Sequence, residues 1–238
     1  MTFFLLDKAP RKAKSDYNNG VKKVLIFDLD GTLLDTITDI RAAINDSLES
    51  IGLPYRYSKS ECRSLVGDGA EALIHRALQE NDNPDYFRRL KSEYMPRYKE
   101  YQGRHTKPFN GIVPTLKYLK NKGLILCVCT NKPDELAHII LTKFFGQDFF
   151  DAIYGIKEGE KPKPDPHNVL AMMSRFASTP TDTLFIGDSL PDLLTANNAH
   201  LPLGLCTWGY GFYKPSLLKE ATYVFNKPKD LAKLGIIL

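Results

Sequence analysis

The chain has 238 residues, 43% of them apolar, 25% charged and 11% aromatic, which is the usage of a globular protein and not of a disordered or collagenous one. Lys and Arg total 32 against 28 Asp and Glu, a surplus too small and too dispersed to argue for nucleic acid. The longest apolar stretches, such as Leu124 to Cys129, fall far short of the ~20 residues of a membrane helix, and the length suits one large domain or one domain carrying a smaller insert.

Residues 1–20 read as a basic leader. Lys8, Arg11, Lys12 and Lys14 follow the apolar start instead of preceding it, which argues against a secretory signal, and Ser15 to Gly20 are polar and aperiodic. Val24-Leu25-Ile26-Phe27 is a short unbroken apolar run of the kind buried on both faces of a parallel sheet. About 95 residues separate it from the next such run, Leu124 to Cys129, far more than one crossover needs, so an insert is expected between them.

The insert's apolar residues keep helical spacing: Ile37, Ile40, Ile44, Leu48 and Ile51, then Ala70, Leu73, Ile74, Ala77 and Leu78, then Phe87, Leu90, Tyr94 and Tyr98. They predict a small helical bundle, its first helix stopped by Gly52 and Pro54. Asn45-Asp46-Ser47 matches a glycosylation triplet but falls inside that first helix and is discounted. Pro114 suits the first turn of the helix that returns to the sheet, and Gly123 closes it.

Further strands are expected at Ala152 to Tyr154, Thr183 to Ile186 and Leu203 to Cys206, with an edge strand at Ala221 to Phe225. Amphipathic helices over 134–145, 167–177 and 190–199 separate them. The expected fold is therefore α/β, a doubly wound parallel sheet (a Rossmann-like core) with a helical cap inserted after the first strand. Residues 21–35 and 109–238 form the core and 36–108 the cap. Cys62, Cys127, Cys129 and Cys206 lack metal-ligand spacing and fit a reducing cytosol, so a cytoplasmic location is expected.

The first strand runs into Asp28-Leu29-Asp30-Gly31-Thr32-Leu33-Leu34-Asp35. Two carboxylates two residues apart, before a Gly turn, would stand over the crevice where open parallel sheets bind ligands. A polar turn with helix-capping aspartates would explain this segment taken alone. The other strand ends add Thr130-Asn131-Lys132, Lys161-Pro162-Lys163-Pro164-Asp165-Pro166 and Gly187-Asp188-Ser189-Leu190-Pro191-Asp192, which put a hydroxyl, a lysine and further acids on one rim.

On these residues the sequence resembles the haloacid dehalogenase superfamily, whose four motifs match Asp28 to Thr32, Thr130, Lys161 and Gly187 to Asp192 in order. The resemblance spans residues 22 to about 230 and is closest to the phosphoglycolate phosphatase group. Leu65-Val66-Gly67-Asp68-Gly69-Ala70, Pro108-Phe109-Asn110-Gly111, Thr130-Asn131-Lys132, Lys161-Pro162 with Pro164, and Thr207-Trp208-Gly209-Tyr210-Gly211 are similar to that group's segments. Lys163 competes with Lys161 for the third motif. Lys161 is preferred because the group's Lys-Pro-x-Pro spacing starts there.

The resemblance implies a phosphomonoester hydrolase acting on a small phosphorylated metabolite, 2-phosphoglycolate in that group, through an aspartyl phosphate. The physical problem is charge. A phosphate dianion about 4 Å from the Asp28 carboxylate meets roughly 8 kcal/mol of repulsion at an effective dielectric near 20, worth about 10⁶ in rate. Asp28 and Asp188 offer hard oxygens suited to one Mg²⁺, and the resemblance adds the backbone carbonyl of Asp30. Lys161 is expected to supply a further positive charge, and Thr130 and Asn131 to hold the phosphoryl oxygens.

Asp28 is then the nucleophile and Asp30 the acid and base, a proton donor that dehalogenases do not need because halide leaves unprotonated. Asp192 is expected either to support Lys161 or the metal waters, or to cap a helix start. A carboxylate on the leaving group would call for a basic partner in the cap, with Lys59, Arg63, Arg76, Arg97 and Arg104 available. Gly67 and Gly69 either allow a tight turn or a close backbone approach or are ordinary helix punctuation, and the Trp208 to Tyr213 loop either packs locally or touches ligand. Tyr86, Tyr94, Tyr98 and Tyr101 read as core by their helical spacing. The expected partners are a small phosphorylated substrate, no nucleic acid and no membrane, in a monomer or weak homodimer. The alternatives are a sugar-phosphate mutase, a nucleotide or pyrophosphate phosphatase of the same superfamily, and a non-catalytic binding protein on the same fold.

Overall fold

The computed structural model describes residues 22–211 and 215–234. The expected leader and the end of the aromatic loop, Phe212 and Tyr213, lie outside the described residues.

The run Val24–Phe27 forms β1, buried along its whole length. It pairs in parallel with β4 (Ile125–Pro133) on one side and β6 (Thr183–Gly187) on the other. With β5 (Ala152–Ile156), β7 (Leu203–Cys206) and β8 (Tyr223–Phe225) the sheet has six parallel strands in the order β5-β4-β1-β6-β7-β8. Alternate residues feed two cores. Leu25, Phe27, Leu126, Val128, Leu184 and Ile186 face one helical layer, while Val24, Ile26, Cys127, Cys129 and Phe185 face the other. After β5 the chain crosses back over β1 to begin β6, so the winding direction reverses at β1. The carboxyl ends of β1, β4 and β6 therefore flank the switch-point crevice.

All four cysteines are buried and none forms a disulfide, and burial pushes the thiols of Cys62, Cys127 and Cys129 up to about 12, so these act as small apolar side chains. No helix among the described residues is long and apolar enough to cross a membrane.

The insert folds as expected from its period. Helices α1 (Ile37–Ser50), α3 (Ala70–Leu78) and α4 (Pro84–Tyr101) bury Ile40, Ile44, Leu48, Ile74, Leu78, Leu90 and Tyr94 in a core of their own, joined by the single turn α2 (Lys59–Cys62). Asn45 of the discounted triplet is buried and exchanges hydrogen bonds with the Tyr57 backbone. Among the elements that escaped the sequence reading, two shape the join between insert and sheet. The strands β2 (Leu34–Asp35) and β3 (Lys107–Pro108) pair antiparallel where the chain leaves and re-enters the sheet, ahead of α5 (Ile112–Asn121). They bind the two crossings into one stalk under the bundle.

Asp39 fastens this stalk. Its carboxylate is 1% exposed and accepts hydrogen bonds from the backbone N–H of Gly103 (2.9 Å), His105 (2.9 Å) and Thr106 (2.9 Å) and from the Thr106 hydroxyl (2.7 Å). Burial pushes the carboxyl pKa up, and these donors more than offset it, leaving the value below the ordinary 3.8. Asp39→Ala strands several buried donors and is expected to cost about 3 kcal/mol. Because the folded-state value is depressed, the contribution is complete above pH 3.8 and is lost as pH falls through the folded value. Urea melts of both proteins at pH 7 and pH 3 check this: the gap should be wide at pH 7 and shrink at pH 3.

Candidate active site

Asp28 sits at the carboxyl end of β1, 6% exposed, its backbone N–H bonded to Ile186 O. Lys163 Nζ lies 2.6 Å from Asp28 Oδ1 and 2.7 Å from Asp192 Oδ1, almost fully buried, with the Phe185 ring centroid 5.6 Å away. This corrects the expectation for the third motif: Lys161 is exposed and the lysine in the site is Lys163. The reason is local. Asn131 Oδ1 accepts from Lys163 N (2.6 Å) and Asn131 Nδ2 donates to Lys163 O (3.2 Å), which clamps that residue's backbone against β4 and aims its side chain inward.

Asn131 borders the cavity, and its side chain is engaged by Lys163 and by Gly67 O (3.0 Å), so that side chain positions the lysine and ties the cap loop to the core. Of the two readings for the cap glycines, both hold at Gly69: it punctuates the chain as the N-cap of α3 at φ +90°, and its Cβ position lies 3.2 Å from Asn131 O, a close backbone approach. Thr130 is buried beside Asn131 and borders the same cavity.

Asp192 caps a helix start, as one of its two expectations had it, and it holds a lysine, but that lysine is Lys163 and not the expected Lys161. Oδ1 holds Lys163, while Oδ2 accepts from Asp188 N (3.0 Å), Ser189 N (2.9 Å) and Ser189 Oγ (2.6 Å) at the start of α8 (Leu190–Asn198). Asp188 Oδ1 accepts from the Thr32 hydroxyl (2.9 Å) and Oδ2 from the backbone N–H of Tyr210 (2.7 Å) and Gly211 (3.2 Å). Gly31 lies against it at φ +92°, where a Cβ would stand 2.6 Å from Asp188 Oδ2, so this turn has room only for glycine.

The aromatic loop packs and positions at once. The Tyr210 hydroxyl accepts from Thr36 N and Ile37 N and donates to Asp35 Oδ1 (2.8 Å), closing the start of α1, which has no side-chain cap from Thr36. Trp208 Nε1 donates to Thr32 O (3.0 Å).

Asp28, Asp188 and Asp192 bring carboxylate oxygens within 4.8 Å of one another, all buried. Three carboxylates against the single ammonium of Lys163 leave a formal charge of −2 when all are ionised (−3 + 1). Burial and the neighbouring acids push Asp188 up to about 7, and burial raises Asp28 well above the ordinary range despite Lys163. A pair of uncompensated negative charges on hard oxygens fits one small divalent cation. Asp28 and Asp188 line the cavity and Asp192 stands behind them, so Asp28 and Asp188 are the members of this trio that face it. One oxygen of Asp30, Oδ1, is buried without a hydrogen-bond partner at the same cavity.

The cavity, about 440 Å³, lies between these residues and the cap, with Arg63, Tyr94, Tyr98 and Leu73 on the cap side. A doubly wound sheet carrying an acidic cluster and one buried lysine at its switch point, roofed by a helical insert, defines a capped α/β enzyme of carboxylate chemistry. The chain belongs to the haloacid dehalogenase-like hydrolase family, which its residues 25–204 match. Phosphoglycolate phosphatase of Aquifex aeolicus is 31% identical over 212 residues, covering 89% of this chain and 96% of that protein. Phosphoglycolate phosphatase 1 of Pseudomonas aeruginosa is 32% identical, covering 88% and 78%. The crystal structure of a predicted phosphoglycolate phosphatase from Haemophilus somnus superposes with a TM-score of 0.83 at 29% identity, covering 89% of this chain and 97% of that one.

Proposed function

We propose that the chain is a Mg²⁺-dependent phosphomonoester hydrolase of the cytoplasm, acting on a small phosphorylated acid, 2-phosphoglycolate by the names of its relatives. The observation that carries this reading is Lys163 held between Asp28 and Asp192, with Asp188 and the unpartnered oxygen of Asp30 at the same cavity. Four buried cysteines that form no disulfide fit a reducing compartment.

Asp28 is the nucleophile. Its carboxylate oxygen forms a bond to phosphorus as the ester P–O bond breaks, and Asp30 gives its proton to the departing alkoxide. Water then attacks phosphorus, Asp30 takes the water's proton, and the bond between phosphorus and Asp28 breaks to restore the carboxylate. Lys163 neutralises Asp28 and the phosphoryl oxygens together, and Thr130 lies where its hydroxyl can hold one of those oxygens. Asp28, Asp188 and the Asp30 carbonyl would hold Mg²⁺, which would supply a further positive charge against the dianion. The cap roof excludes water from the leaving group.

The test is a panel of phosphorylated metabolites assayed for released phosphate with Mg²⁺ and with chelator. Phosphate released from 2-phosphoglycolate, and abolished by chelator, is expected. An isomeric phosphate product without free phosphate would mean a mutase, and inertness towards every ester, an activated aryl phosphate included, would mean a binding protein. Because Asp188 and Asp28 hold protons more tightly than free carboxylates, Mg²⁺ should raise the melting temperature more at pH 8 than at pH 6.

A further inference from the structure

Lys132 follows Thr130 and Asn131 at the end of β4 and is only 3% exposed, yet no carboxylate among the described residues lies within 4 Å of it. Its ammonium bonds to the Tyr98 hydroxyl on α4 and sits 4.0 Å from the centroid of that ring. Burial lowers its pKa, and the nearest opposing influences are Asp30 and Asp39, acting through space. A buried ammonium with one hydroxyl and one ring face for company is costly for stability alone. It borders the cavity together with Asp30 and Tyr98.

The cap cations expected to meet a substrate carboxylate are mostly occupied. Lys59 pairs with Asp35, Arg76 with Asp68, Arg97 with Glu93 and Arg104 with Glu100, and Arg63 is exposed, 6.0 Å from the Tyr210 ring centroid. In a phosphorylated 2-hydroxy acid a single carbon separates the ester oxygen from the carboxylate. The group that receives the carboxylate must then stand beside the acid that protonates the ester oxygen, at the floor of the cavity and not out on the cap. Lys132 stands there, within electrostatic reach of Asp30.

We propose that Lys132 receives the carboxylate of the leaving group, whose oxygens accept from its ammonium and from the adjoining Tyr98 hydroxyl, and so makes the site selective for short phosphorylated carboxylic acids. This rests on the phosphatase reading and names its specificity residue. Because Tyr98 belongs to the cap and Lys132 to the core, a carboxylate bound there also joins the two parts across the reacting bond.

The test is a cycle of two proteins against two substrates, 2-phosphoglycolate and its carboxylate methyl ester, with phosphate release measured in Mg²⁺. The wild type should prefer the free acid by at least about 100-fold in kcat/KM, mostly through KM, and Lys132→Met should reduce that preference to less than about fivefold. Met matches the side chain's bulk, and its melting temperature checks folding. Should the variant not fold, Tyr98→Phe takes its place, expected to lower the preference about fivefold by removing the hydroxyl while keeping the ring. A wild type that hydrolyses acid and ester alike overturns both this proposal and the substrate named above, leaving the phosphatase intact. A wild-type preference that Lys132→Met, or Tyr98→Phe in its place, retains in full overturns the role of Lys132 alone.

Discussion

Asp28→Asn should lower kcat for phosphate release by on the order of 10⁴-fold or more, because an amide cannot form the phosphoryl ester on which both half-reactions depend. The fold should survive. Asn Oδ1 can still accept from Lys163, which now bonds Asp28 Oδ1 at 2.6 Å. Burial and the Asp192 and Asp188 charges raise the Asp28 pKa, so the folded chain binds a proton there more readily than the unfolded chain does. Above the folded value the ionised carboxylate therefore subtracts from stability, and a neutral amide relieves that repulsion. In Mg²⁺-free buffer at pH 8 the variant should melt at or above the wild-type temperature. Mg²⁺ should then raise its melting temperature less than it raises the wild type's, since one anionic ligand has gone. Turnover retained within about tenfold would remove Asp28 as the nucleophile.

Two sequence features carried most of what could be read in advance. A buried four-residue strand needs both faces apolar, so Val24–Phe27 stood out, and the acids straight after it had to lie at the sheet's edge. The helical period of residues 37–98 marked the insert, because a bundle must bury one stripe per helix. What escaped depends on contacts between residues far apart in the chain. Asp39 looks like one polar position on an amphipathic helix, and only the return of residues 103–106 shows that it satisfies their buried donors. Tyr210 closes the start of a helix more than 170 positions earlier, a pairing no local pattern encodes. Lys132 was visible only as part of a segment, since the lack of a carboxylate within 4 Å of it among the described residues is a property of the assembled cavity.

The third-motif lysine shows the same limit at the shortest range. Lys161 and Lys163 lie two apart in a proline-rich stretch, so local spacing does not decide which of them reaches the site. The amide of Asn131, on another strand, selects Lys163. Lys163→Met should therefore lower kcat on the order of 10³-fold or more, while Lys161→Met, whose side chain lies outside the site, should stay within about twofold of wild type.

The structural cost should also separate the two variants. Removing Lys163 leaves Asp28 and Asp192 buried without their counter-charge, a loss of about 3–5 kcal/mol, whereas the exposed Lys161 has little to lose. The three carboxylates would then carry the whole −3, so Mg²⁺ should stabilise Lys163→Met by more degrees than it stabilises the wild type. Melting curves with and without Mg²⁺, run beside the phosphate assay, read both effects on the same samples. Full activity in Lys163→Met with loss in Lys161→Met would reverse the assignment, and equal losses in both would mean that the loop's conformation, and not one ammonium, carries the effect.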